Sequence, residues 1–146
     1  MIQAEILQPA VALMIWTMIM WAWMYATRIP AMQKAHVDVN RLVNDPDASL
    51  DRTLPANVQW KAHNYNHLHE QPTVFYAVAI VLAIIGEGDG PNAFLAWIYL
   101  GLRVIHSIVQ VTANKVMVRF VLFALSSLVL IALIFHAAIY AFDIHF

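Results

Sequence analysis

The feature that most constrains this chain is a series of apolar runs long enough to cross a bilayer, separated by short polar breaks. Leu7 to Thr27 is interrupted only by Gln8, Pro9 and Thr17. Its 21 residues, at about 1.5 Å each, match the roughly 30 Å of a hydrocarbon core. Asn92 to Thr112 and Val116 to Phe142 are two further runs. Pro72 to Ile85 is apolar apart from Thr73, and it reaches spanning length when the polar stretch from Ala62 joins it. Gly86 to Pro91 reads as a turn, and Ala113 to Lys115 leaves room only for a tight hairpin. The expectation is a single all-α domain over 1–146, an integral membrane four-helix bundle of up-down topology. Its helices fall at about 7–27, 62–85, 92–112 and 116–142.

Composition points the same way. Apolar residues make up 62% of the chain and charged residues 12%, against about 45–50% and about 25% in soluble domains. That excludes a disordered chain. A net charge of −1 offers no basic face to nucleic acid, and the absence of cysteine excludes disulfides, thiolate nucleophiles and cysteine-bound metals. The first run is read as a retained helix rather than a leader, because Glu5 precedes it without any Lys or Arg.

Charge placement sets the orientation. Arg28, Lys34, Arg41, Arg52 and Lys61 lie between the first two helices, and Lys115 and Arg119 at the last hairpin. All these cations fall on one side, which the positive-inside rule places in the cytoplasm, with both termini outside. The connection at about 28–61 is long for a bundle. Met32, Ala35, Val39, Leu42 and Val43 recur there at helical spacing, which predicts an interfacial amphipathic helix ended at Pro46.

Polar residues at membrane depth need a partner or a purpose. Tyr99, Arg103, His106, Gln110 and Asn114 form one stripe on the third helix, within about 80°. His63, Asn66, His67 and Glu70 form another on the second helix, within about 100°. The two stripes are expected to face each other inside the protein, with Glu70 paired to Arg103 and the second helix kinked at Pro72. His63, His67 and Glu70 also stand at metal-ligand spacing, but one such cluster is fewer than membrane di-iron chemistry needs. Hydrogen-bonded histidines near the interface are the preferred reading, and no metal is assigned.

The stretch from Asn66 to Tyr76, with Glu70, Pro72 and Phe75, resembles the second-helix signature of the MAPEG family, the membrane-associated proteins of eicosanoid and glutathione metabolism. Arg103, His106 and Gln110, continuing through Asn114 and Lys115 to Arg119, resemble that family's third and fourth helices. The wording of Glu70 to Tyr76 is similar to bacterial members. The resemblance implies a homotrimer in a bacterial inner membrane, with glutathione as co-substrate between protomers near the cytoplasmic side. It would act as a transferase or peroxidase on lipophilic electrophiles. Glu70 would hold the glutathione amino group, Arg103 would pair with Glu70 or the tripeptide, and Arg119 would stabilise the thiolate. Asn66, His67, His63, Gln110, Lys115 and Arg28 complete the candidate contacts.

Three positions depart from the pattern. His67 stands in place of the usual asparagine, while Gln110 and Phe123 stand in place of tyrosines. The alternative reading is a non-catalytic trimer that holds lipid or quinone, or that serves as a subunit of a larger membrane complex.

Overall fold

The computed structural model describes residues 4–45 and 48–144. The chain is all-helical among the described residues. In order the helices are α1 (Leu7–Lys34), α2 (Val39–Asn44), α3 (Leu50–Thr53), α4 (Ala56–His67), α5 (Gln71–Ile84), α6 (Pro91–Thr112) and α7 (Val116–Ala141). Three of them, α1, α6 and α7, are long and apolar enough to cross a membrane. Their outward faces are apolar: Ile15, Ile105, Phe120 and Leu128 are all more than half exposed. A surface of this kind is stable only against lipid or protein. The chain is an integral membrane protein.

Two expectations need correction. The first helix does not stop at 27 but continues to Lys34, because leaving an apolar phase does not end a helix. It stops where His36 enters the left-handed region (φ 50°) and Val37 N–H turns back to Met32 O at 3.1 Å. The expected loop at 28–61 therefore holds the end of α1, the two short helices α2 and α3, and half of α4. The amphipathic segment is not one helix, since Met32 belongs to α1 and Leu42 to α2. Pro46 lies outside the described residues.

The expected helix at 62–85 is broken rather than kinked. Leu68 to Glu70 separates α4 from α5, with a tightened turn in which His69 N–H binds Asn66 O at 2.9 Å. Glu70 then leaves helical geometry (ψ −96°), and Pro72 occupies the first turn of α5. Proline lacks the N–H that a continuous helix would aim at Leu68. In a first turn the missing donor costs nothing, so stopping and restarting replaces bending.

The core lies where α6 is wrapped by its neighbours. Ile6, Leu13 and Met20 come from the N-terminal segment and α1, Phe75, Ala79 and Leu82 from α5, Ala96 and Tyr99 from α6, and Leu133 from α7. Phe75 and Tyr99 stack with ring centroids 4.3 Å apart. At the far end Ile6 N–H binds Gly88 O at 2.8 Å and Glu5 N–H binds Asp89 Oδ1 at 2.7 Å, which pins the N-terminal segment to the α5–α6 turn.

Candidate functional site

The buried stripe of α6 organises the interior. Tyr99, Arg103, His106 and Gln110 are each at most 3% exposed, so this helix turns its polar residues inward as the spacing predicts. Burying them needs partners. Tyr99 hydroxyl donates to Gln71 Oε1 at 3.3 Å, and Gln71 Nε2 donates to Ser127 Oγ at 2.7 Å. Gln71, the first residue of α5, thus ties α6 to α7. Asn64 Nδ2 of α4 donates to Ser107 Oγ of α6 at 2.7 Å.

The polar face of α4 is rotated from its expected setting. Lys61, Asn64 and Leu68 turn inward, whereas His63, Asn66 and Glu70 are exposed in the single chain. Asn64 went unnoticed in the sequence because it lies one step off the His63–His67 stripe. Ser107, adjacent to His106 on the inward face of α6, was the available signal. Lys61 Nζ donates to Asn57 O at 2.7 Å and sits 5.5 Å from the Trp23 ring centroid.

The ion pair expected between Glu70 and Arg103 is not formed. Arg103 is 1% exposed, and its Nη2 donates instead to the carbonyl of His67 at 3.2 Å. That carbonyl is available because the chain leaves α4 there. Arg103 Nε and Nη1 have no hydrogen-bond partner, although the guanidinium lies 6.0 Å from the Phe123 ring centroid. Glu70 is turned toward His67, with Oε2 2.6 Å from Nδ1. Such a cation, buried with two of its nitrogens unanswered, is costly as it stands and is well suited to an incoming anion.

Beside it an open groove of about 220 Å³ is lined by His67, His106, Val116, Arg119, Phe120 and Phe123. The rings of His67 and His106 are 5.1 Å apart and those of His67 and Phe123 are 5.6 Å apart. Arg119 is half-buried; its Nη1 donates to Asn114 Oδ1 at 2.7 Å, and its Nε is buried without a partner. Asn114 reaches that position from a left-handed cap (φ 47°), with its N–H on Val109 O at 2.7 Å. Of the sequence candidates, only His67 and Arg119 line the groove. Arg103 and Gln110 lie buried on α6, and Gln110 Oε1 lacks a partner. Lys115 is exposed at the start of α7, and Arg28 is half-buried near the end of α1. His63 turns away toward Asp51, 3.4 Å distant. Among the described residues no group of three His, Asp or Glu is placed to hold a metal. His106 and Phe123 enter the groove without having been chosen as site residues.

Helices of membrane-spanning length around a buried polar stripe, with a groove at one end lined by His67 and Arg119, define an integral membrane protein. The MAPEG family model matches residues 6–139, almost the whole chain, and the chain belongs to that family. No curated protein and no solved structure matches it.

Proposed function

We propose that the chain is a glutathione-dependent transferase or peroxidase acting on lipophilic electrophiles, assembled as a homotrimer in a bacterial inner membrane. The observation that carries this reading is Arg119, which lines the groove with its Nε lacking a partner, backed by the buried guanidinium of Arg103, whose Nε and Nη1 also lack partners. A peptide bearing carboxylates offers the counter-charge that these cations lack. Glu70, whose side chain is 65% exposed, has a second carboxylate oxygen free for the ligand's ammonium group.

The chemistry follows from Arg119. A thiol of pKa about 8.5 is mostly protonated at neutral pH, and a fixed cation in a weakly polar setting favours the thiolate. Arginine suits the task because it keeps its charge when partly desolvated. The sulfur then attacks an electrophile that reaches the groove from the bilayer over Phe120, which is 64% exposed.

The groove of one chain is also small. Its 220 Å³ falls below the about 300–1,000 Å³ of typical ligand pockets, which supports a second protomer supplying the missing wall. His63 and Asn66 on α4 and Glu70 in the break that follows, all polar and exposed, are suited to that contact. In this assembly α4 and α5 together form the second crossing of an up-down four-helix bundle. The cationic end faces the cytoplasm and both termini lie outside.

Titrating glutathione into the detergent-solubilised protein, while following ultraviolet thiolate absorbance, tests the reading. Saturable thiolate formation that disappears in Arg119→Met is expected. Absence of binding at millimolar glutathione overturns it. A second reading rests on Phe123, whose ring occupies the groove where the family pattern has a hydroxyl: a non-catalytic trimer holding a lipid or quinone, or docked in a larger membrane complex. A lipid or protein that co-purifies with the native trimer, together with no glutathione binding, is the outcome favouring it.

A further inference from the structure

We propose that His67 is the proton acceptor for the thiol in this groove, with Glu70 as the residue that positions it; the inference rests on the glutathione reading above. His67 ends α4, and Glu70 stands three residues on, across the break. Side chains three residues apart on one turn are neighbours, and the Glu70 carboxylate meets His67 Nδ1 at 2.6 Å. A carboxylate oxygen accepts, so in this pair Nδ1 bears the ring hydrogen. The lone pair of the neutral ring is therefore on Nε2. His67 lines the groove that also holds Arg119, so the ring supplies a basic nitrogen beside the cation that would steady a thiolate. An imidazole oriented by a carboxylate and presenting its other nitrogen to a nucleophile is the general arrangement for activating that nucleophile.

The charges around the ring decide when it accepts a proton. Partial burial of the ring, Arg103 at the His67 carbonyl and Arg119 in the shared groove each oppose a positive charge on His67. Glu70 favours it. The bound ligand adds the missing counterion, because the thiolate formed by the transfer pairs with the imidazolium it creates. The S–H bond breaks, the proton passes to Nε2 and the electron pair stays on sulfur. When sulfur bonds to an electrophilic carbon, the leaving group departs with the bonding pair and takes the proton back from Nε2. Glutathione and the electrophile thus become thioether and protonated leaving group, and His67 is neutral again.

The proton count of thiolate formation tests this. Calorimetric titration of glutathione into the solubilised protein, in buffers of different ionisation enthalpy, reads protons released per thiolate formed, with absorbance reporting the thiolate. If His67 takes the proton, wild-type protein releases close to none near neutral pH, whereas His67→Asn and Glu70→Gln release about one proton per thiolate. His67→Gln behaves as His67→Asn. A wild-type release of about one proton per thiolate overturns the proposal while leaving the glutathione reading intact. Failure of wild-type protein to bind glutathione overturns both. A wild-type count of about one overturns the proposal even where a variant fails to fold, and His67→Gln assigns the acceptor where His67→Asn does not fold.

Discussion

Arg103 shows how an interior residue can be held at a loss. Its side chain is buried on α6 with one hydrogen bond, to a carbonyl exposed by the α4–α5 break. Replacing even a buried ion pair by apolar residues of similar volume is often neutral or stabilising by about 1–4 kcal/mol, and Arg103 has no paired carboxylate to offset its desolvation. Arg103→Met is therefore expected to melt at the same or a higher temperature in detergent, followed by intrinsic fluorescence, while losing glutathione binding. A large drop in melting temperature instead would assign Arg103 a purely structural role. At this scale the sequence was informative about burial and less so about pairing. The spacing of Tyr99, Arg103, His106 and Gln110 placed them on one inward face because an α-helix fixes that geometry locally. Which oxygen meets Arg103 depends on the backbone path near Glu70, and periodicity says nothing of that path.

Among the elements, the α5–α6 turn is the most tightly specified. A Cβ on Gly88 would lie 2.6 Å from Ala4 Cβ and 2.9 Å from Ile6 Cγ2. Those atoms are held in place by the hydrogen bonds from Glu5 and Ile6 to the turn. Gly88→Ala is expected to destabilise the protein by about 1–3 kcal/mol, read as a lower midpoint in thermal unfolding. An unchanged midpoint would mean the N-terminal segment moves aside freely. The turn itself was legible from Gly86, Gly88, Gly90 and Pro91, but its role as the anchor for residues 5 and 6 was not, since that contact joins segments over 80 residues apart. The misreading of 62–85 has a local cause. The helical spacing of His63, His67 and Glu70 runs straight into the apolar stretch from Pro72, and only the preference of proline for a first helical turn separates α4 from α5.

At the level of the whole molecule, orientation is the property most directly accessible to experiment. The chain has no cysteine, so any introduced one is a unique reporter. In intact bacterial spheroplasts a membrane-impermeant maleimide is expected to label Glu87→Cys and to reach Lys115→Cys only after permeabilisation. Equal labelling of both in intact cells would contradict the proposed orientation. Family membership was legible in the joint pattern of Glu70, Pro72, Arg103 and Arg119 because these residues are clustered in two short stretches. The match extends well beyond them, over residues 6–139.

The break after His67 also bears on biogenesis. α5 has 14 residues and reaches only about 21 Å, well short of a roughly 30 Å hydrocarbon slab. α4 is shorter still and carries several polar side chains. Neither piece is a good solitary client for a translocon. If α4 and α5 form the proposed second crossing, α5 is expected to partition together with α6 as a hairpin, entering the bilayer on the strength of the helix synthesised after it.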